Sequence, residues 1–339
     1  MNISKQDTKA IRLPYEYTET EPYEKGFSEY YQKHIVPLAA KYEEKRKRNK
    51  EKNKLNIILA ITSGLAGMWL MAKSLPLRGR NSGKSLILPP IVSWWFFVRR
   101  PKRKYFTAQK EEVLPLVLKF MGDFNYKSSG YLSPPIIATH TGYYEATNIF
   151  QCEDFISYKN ENVYCKIFER VFKDVSISIG KIFLYFEFAE NFNIDLILTS
   201  KKMKNLYWGI TIEDDLNNRL LKRREINKEP ISVNHKFDQH FDLHSKNNER
   251  IIEWLTDDFI DELIYLNTVF DKEGMLLSVK DNQVFVELES QQNLFEVGTS
   301  YKEASVNAEN IKKLLKELHF AISLMDMIEK RIQTLQIST

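Results

Sequence analysis

The sequence predicts an α+β protein: a two-helix transmembrane hairpin, preceded by a helical stem and followed by a cytosolic antiparallel sheet with flanking helices. Three observations predict it. Two apolar stretches, 55–72 and 86–98, stand on either side of a polar link, 73–84. Basic runs bracket the pair, Lys45-Arg46-Lys47-Arg48 with Lys50, Lys52 and Lys54 before it and Arg99-Arg100-Pro101-Lys102-Arg103-Lys104 after it. Apolar segments flanked by lysine and arginine at both outer ends are the pattern of a hairpin whose two ends face the cytosol. Beyond it, β-branched and aromatic runs interrupted by Gly, Asn and Pro read as strands, and a final stretch with apolar residues every three or four positions reads as a long helix.

Residues 1–22 are polar and aperiodic and are expected to form a flexible tail with no apolar core of a signal peptide. A helical stem is expected over 23–54, because Phe27, Tyr31, Ile35 with Leu38, and Tyr42 recur at helical spacing, and Pro37 is a candidate kink. The hairpin, 55–98, has a first arm, 55–72, that contains Gly64 and Gly67 and approaches the ~30 Å hydrocarbon thickness at ~1.5 Å per residue. Its second arm, 86–98, is short, opens on Pro89-Pro90 and ends in Trp94-Trp95-Phe96-Phe97. It spans if 80–85 is drawn partly into the interface and is otherwise re-entrant or interfacial. Trp94 and Trp95, followed by Arg99, Arg100, Lys102, Arg103 and Lys104, are the predicted membrane-interface residues, since indole rings and cations gather at headgroups.

The α+β domain is expected over 105–339 and is divisible into subunits at 105–205 and 231–339. An amphipathic helix follows Tyr105. Strands are expected through Val163–Phe168, Ile182–Phe188 and Ile194–Leu198, and 203–230 reads as a surface connection with a charged run at Leu220-Leu-Lys-Arg-Arg. Then come a strand over Lys236–Leu243, helices over Asn248–Leu255 and Asp257–Phe270 with Thr256 as N-cap between them, and a hairpin over Asp281-Asn282. The last helix, Ala304 to Leu335, carries Ile311, Leu315, Leu318, Ile322 and Met325 in a near-heptad stripe. It fits docking on its own domain as well as pairing with a partner helix.

The formal charge is +4. The positive excess lies wholly beside the apolar segments, so residues 105–339 are net acidic, which argues against nucleic acid as a partner. The expected partners are the lipid bilayer and a protein or a second copy of the chain. Cys152 and Cys165 read as ordinary reduced thiols.

The order of these parts resembles a known family. The stem, the paired apolar segments, Glu112-Val-Leu-Pro-Leu-Val-Leu-Lys-Phe-Met-Gly-Asp-Phe-Asn-Tyr126 and Glu153-Asp-Phe-Ile-Ser157 are similar to the bacterial membrane family known as domain of unknown function 3137. Phe186-Glu-Phe-Ala-Glu-Asn-Phe192, Phe237-Asp-Gln-His-Phe-Asp-Leu-His-Ser245, Leu277-Ser-Val-Lys-Asp-Asn-Gln-Val-Phe-Val286 and Asn293-Leu-Phe-Glu296 continue the likeness, which runs from Phe27 to Arg331. It implies a multi-pass protein of the cell inner membrane with both termini cytoplasmic. It implies no catalytic residues.

The strongest constellation for chemistry is His235, Asp238, His240, Asp242 and His244. On a strand, Asp238, His240, Asp242 and His244 share one face and could hold zinc or a non-haem metal, though ligands at every second residue of one strand seldom converge on a single ion. A solvated strand face is the favoured reading, with no cofactor. Arg78-Gly-Arg-Asn-Ser-Gly-Lys-Ser85 fails the spacing of a phosphate-binding loop. Asp214-Asp215 and Asp257-Asp258 are adjacent and diverge, and His34, His140 and His319 are isolated. The expected function is a non-enzymatic binding or scaffold component at the cytoplasmic face. The alternative is a membrane-tethered, metal-dependent hydrolase that uses the strand around 235–244.

Overall fold

The computed structural model describes residues 16–74, 87–141, 152–173, 178–191, 193–201, 206–207, 210–211, 220–246, 251–252, 254–269, 274–290, 295–297, 301, 304 and 306–337. It is a mixed α+β structure in two units. Met1–Phe120 with Glu296–Lys316 form the first, and Met121–Phe295 with Glu317–Thr339 form the second.

The first unit is helical. Helix α1 (Phe27–Tyr30) passes through a π-turn (Tyr31–Ile35) into α2 (Val36–Ser74), so the stem and the first apolar arm are one continuous helical rod. Helix α3 (Leu88–Trp94) likewise passes through a π-turn (Trp95–Arg99) into α4 (Arg100–Met121). The helix expected after Tyr105 is therefore continuous with the second apolar arm. Each π-turn ends two residues before a proline, Pro37 or Pro101. A proline inside a helix has no N–H to donate and crowds the carbonyl four residues back. Widening the preceding turn relieves that conflict: Val36 N–H donates to the Tyr31 carbonyl and Arg100 N–H to the Trp95 carbonyl.

The two rods run antiparallel, tied by tyrosines. Tyr42 Oη donates to the Ala108 carbonyl (2.8 Å), Tyr105 Oη to the Tyr42 carbonyl (2.9 Å) and Tyr30 Oη to the Leu116 carbonyl (2.9 Å). Each ring is thereby buried with its polar tip satisfied. Of the predicted tail, 1–22, the described residues 16–22 pack on the stem. Tyr17 is buried against Phe27, with ring centres 4.9 Å apart. Glu24, fully buried, accepts from Thr20 N–H (2.7 Å) and lies 3.4 Å from Lys312 Nζ.

The second unit is built on an eight-stranded antiparallel sheet. Its strands are β1 (Asn125–Gly130), β2 (Cys152–Lys159), β3 (Val163–Lys173), β4 (Ser178–Phe188) and β5 (Asp195–Ser200), then β8 (Phe241–Ser245), β9 (Met275–Lys280) and β10 (Gln283–Ser290). The order across the sheet is β1-β2-β3-β4-β10-β9-β5-β8, and a separate pair joins β6 (Leu206–Tyr207) to β7 (Ile210–Thr211). The predicted runs through Val163–Phe168, Ile182–Phe188 and Ile194–Leu198 lie on β3, β4 and β5. The β9–β10 hairpin turns over Asp281-Asn282 as predicted, with Asp281 at a φ of 56°, the left-handed conformation that such two-residue turns demand.

Two expectations are corrected here. Residues 105–205 and 231–339 are not separate subunits, because β5 pairs with β9 on one side and β8 on the other, while β4 pairs with β10. The interior strand β5 satisfies its backbone groups only with partners drawn from the later half. The charged run at 220–224 is no surface connection. It forms a helical turn that buries Leu220, Leu221 and Arg224, and the two leucines join Phe168, Phe183 and Phe285 in the core. Thr256 stands at the N-cap of α7 (Asp257–Val269) as predicted, where its carbonyl accepts Ile260 N–H (2.9 Å). Its buried hydroxyl makes no hydrogen bond, so it caps through the backbone alone.

The final helix, α8 (Ala308–Ile337), starts beyond the predicted Ala304, where Asn307 Oδ1 accepts Asn310 N–H (2.8 Å). Ile311, Leu315, Leu318 and Met325 are buried and Ile322 is half-buried. Leu314, Ala321, Leu324 and Ile328 widen the stripe beyond a two-position seam, and this surface is spent on the chain's own interior.

Candidate functional site

The two apolar arms pack against each other where two glycines of the first meet two prolines of the second. A Cβ placed on Gly64 would lie 3.0 Å from Pro90 Cα, and one on Gly67 would lie 2.7 Å from Pro89 Cβ. Glycine is the residue that lets α2 approach α3 this closely. Around that seam the apolar side chains point outward. Leu55, Ile58, Ile61, Leu65, Trp69 and Leu70 of α2 are each more than half exposed, as are Ile87, Leu88, Ile91 and Val92 at the second arm. In a water-soluble helical pair such residues would face inward, and a monomer rarely exposes a contiguous patch of this extent. The rod Phe27–Lys73 contains a stretch long and apolar enough to cross a membrane, of which 11% is buried; among the described residues it is the one such helix.

Cations collect at one end. The predicted interface residues fall on the π-turn and the start of α4. Trp94 and Trp95 are exposed, the Arg100 guanidinium lies 5.9 Å from the Trp95 ring and 5.6 Å from the Phe96 ring, and Lys102 Nζ lies 5.9 Å from the Phe106 ring. Arg99, Arg103 and Lys104 are exposed. At the far end Lys73 Nζ stands 4.0 Å over the Trp69 ring.

The predicted metal face does not form. Asn234 Oδ1 accepts Phe237 N–H (2.8 Å) and closes a helical turn, α6 (His235–Asp238), so the strand begins only at Phe241. Asp238 accepts from Ser232 Oγ (2.6 Å) and Val233 N–H (3.1 Å), and His240 sits in the turn between α6 and β8. Asp242 and His244 do share a face of β8, half-buried, but each is engaged: Lys201 Nζ lies 3.6 Å from Asp242, and His244 Nδ1–H donates to the Asn227 carbonyl (3.3 Å). Burial lowers the His244 pKa. Among the described residues no three His, Cys, Asp or Glu side chains group as ion ligands. Residues 78–85 and Asp214-Asp215 lie outside the described residues.

A polar network that sequence reasoning missed runs through the core instead. Arg224, almost wholly buried, donates to Asp195 Oδ1 from Nε (2.8 Å) and from Nη2, to Ser278 Oγ from Nη1 (2.6 Å), and to the Val279 carbonyl from Nη2. Ser278 Oγ also lies 3.0 Å from His140 Nδ1, and His140 Nε2 lies 3.2 Å from Gln283 Oε1. One proton arrangement satisfies all of them: Arg224 donates to Ser278, Ser278 to Nδ1, and Nε2–H to Gln283. It requires neutral imidazole. Burial enforces this by pushing the His140 pKa down to about 4. The ring stacks on Phe285 at 5.7 Å, and both Ser278 and His140 are fully buried, so this serine–histidine contact has no access to a substrate and holds α5 (Pro134–Thr141) to β9. The available signal was the spacing of Leu220, Leu221, Arg224 and Ile226, which puts the arginine on the apolar side of a turn. Cys165 is fully buried, and burial pushes its thiol pKa up, away from reactivity.

Residues 181–330 match the family described as protein of unknown function, DUF3137. The chain carries a DUF3137 domain. That match starts in β4 and ends within α8, so it takes in Asp195, Arg224, Ser278 and Gln283. The apolar arms and His140 fall outside the DUF3137 segment, which covers the second half of the span over which the sequence resembles the family. No curated protein matches the chain. Among solved structures, the mycobacterial trehalose monomycolate transport factor A, TtfA, aligns over 58% of this chain and 88% of its own at 12% identity, with a TM-score of 0.28. A similarity at that score bears on neither fold nor function.

Proposed function

We propose that this protein is a multi-pass inner-membrane anchor that displays a non-enzymatic, DUF3137-containing binding domain in the cytosol. The observation that carries the reading is the outward-facing apolar surface on both arms of the Gly64–Pro90 seam. Water does not favour such a surface and a hydrocarbon interior does. In this reading α2 and α3 cross the bilayer as a hairpin, and the cations that precede Leu55 and follow Val98 keep both ends on the cytoplasmic side. The net-acidic sheet unit then engages a protein partner or a second copy of the chain through surface other than the buried stripe of α8. A metal-dependent hydrolase gains no support from the dispersal of Asp238, His240, Asp242 and His244 over a turn and a strand.

Two measurements test this. The full-length protein should stay in the pellet after alkaline carbonate extraction of membranes. Single cysteines introduced at Ser28 and at Thr107 should react with an impermeant maleimide only after the cells are opened. Labelling of the Thr107→Cys site in intact cells would place the second arm's exit outside, and extraction into the supernatant would refute the anchor altogether.

A further inference from the structure

We infer that the basic end of the helical pair is a binding surface for anionic phospholipid headgroups, of the phosphatidylglycerol class. The inference rests on the membrane-anchor reading above and goes beyond it, because an anchor needs apolar surface and charge bias but no lipid selectivity. Gly64 meets Pro90 and Gly67 meets Pro89, so α2 and the second rod run antiparallel with residue numbers that sum to about the same value at each level. The contacts of Tyr42 with Ala108 and Tyr105 and the Lys41–Glu112 ion pair (2.6 Å) continue that register beyond the apolar arms. The same register brings Lys50, Lys52 and Lys54 level with Arg99, Arg103 and Lys104. Two basic runs that are half a hundred residues apart in sequence thus form one collar at one end of the apolar band.

The collar keeps a large positive excess: Glu51 is the one carboxylate over 45–54, and 99–104 has none. All six side chains are exposed, and among the described residues none forms an ion pair or a hydrogen bond. Just below it, towards the stem, the pattern is the opposite: Lys41 pairs with Glu112, and Arg46 and Lys47 with Glu43. Beyond Glu43 and Glu44 the first rod carries a single carboxylate, Glu51, against Lys50, Lys52 and Lys54, and the second rod carries none over 99–104, at the level where Leu55, Trp94, Trp95 and Phe96 begin the exposed apolar surface. Mutual repulsion among six cations, which the single carboxylate of Glu51 offsets only in part, disfavours this arrangement unless a further anion is shared between them. A phosphodiester headgroup with no cationic substituent is the anion available at the depth where an apolar band meets water. The chemistry is point-charge recognition by lysine and arginine, and attraction of this kind is worth about 1 kcal/mol per cation at a membrane surface, about fivefold in a binding constant.

The test uses the full-length protein reconstituted in mixed vesicles of phosphatidylcholine and phosphatidylglycerol, with bromine carried on the acyl chains of one lipid or the other. Trp94 and Trp95 are exposed beside the collar and report the lipids in contact with it, whereas Trp69 is exposed at the far end of the arms and Trp254 is buried in the sheet unit, so each of the collar tryptophans is read in a variant with the other tryptophans replaced by Phe. Brominated phosphatidylglycerol is expected to quench as if it bound at least about fivefold more tightly than brominated phosphatidylcholine in low salt. The preference should vanish in 1 M salt, where screening is nearly complete at ~3 Å. It should also vanish in a variant with Lys50, Lys52, Lys54, Arg99, Arg103 and Lys104 replaced by Gln. Equal quenching by the two brominated lipids in the unaltered protein would overturn the collar inference and leave the anchor standing. Quenching by neither lipid, with the protein failing to float with the vesicles, would overturn the anchor reading itself.

Discussion

Replacing Arg224 by methionine tests whether the buried network is what holds the sheet unit together. The side chain is 1% exposed and makes charge-assisted bonds to Asp195, Ser278 and the Val279 carbonyl. Methionine fills comparable volume and supplies no donor. Asp195 is 22% exposed and keeps part of its hydration, but Ser278 is fully buried and has no water to turn to. Removing one member of a buried ion pair destabilises by about 3–5 kcal/mol, a large share of the ~5–15 kcal/mol total of an ordinary domain. Urea unfolding of the full-length protein in detergent, followed by circular dichroism in the β-sheet band, should show a loss of that size. The neighbouring Arg223→Met, at an exposed position, should lose less than about 1 kcal/mol. Combining Arg224→Met with Asp195→Asn should be milder than the sum of the single changes by at least about 1 kcal/mol, because the aspartate no longer remains as a lone charge. A loss below about 1 kcal/mol for Arg224→Met, or strict additivity of the pair, would refute the reasoning.

Three further outcomes follow from the same structure. His140 has a folded pKa of about 4, below its unfolded value, so the unfolded chain binds the extra proton between about pH 4 and 6.5. Its contribution, about 3 kcal/mol, is fully present above pH 6.5 and is lost as pH falls towards 4; a His140→Gln variant should flatten that slope in denaturation curves measured at several pH values. Asn307→Ala removes a side-chain cap and should destabilise by about 1 kcal/mol, whereas Thr256→Ala removes a hydroxyl that bonds to nothing and should change stability by less than about 0.5 kcal/mol, both read by thermal melting. Gly67→Val thrusts side chain into Pro89 and should weaken the pairing of the arms by about 1–3 kcal/mol. Oxidative cross-linking between Ser63→Cys and Ser93→Cys, at matching levels, would then fall at least about fivefold, and undiminished cross-linking would show that the seam is not where the structure puts it.

Much of the fold was legible because the signals are short-range. The apolar arms, the charge blocks, the strand runs on β3, β4 and β5 and the Asp281-Asn282 turn each announce themselves within a dozen residues. The failures are equally instructive. The stretch from Lys236 to Leu243 has strand alternation, yet one hydrogen bond from Phe237 to Asn234 winds its first half into a turn and scatters the histidines and aspartates. The run at 220–224 is rich in charge, yet its arginine is buried because Asp195, Ser278 and the Val279 carbonyl lie across from it on β5 and β9. No composition window contains that information.

The sequence by itself determined the class of the fold, the apolar arms with their charged ends, and the small residues at 64 and 67. These depend on local periodicity and on which residues water rejects, and both are written along the chain. Tertiary structure alone decided that β5 lies between β9 and β8, that the stripe of α8 is covered by its own chain, and that Arg224, Ser278 and His140 meet. Pairings of this kind join residues up to about a hundred and forty positions apart. Their energy comes from partners that only the closed fold brings within hydrogen-bond reach.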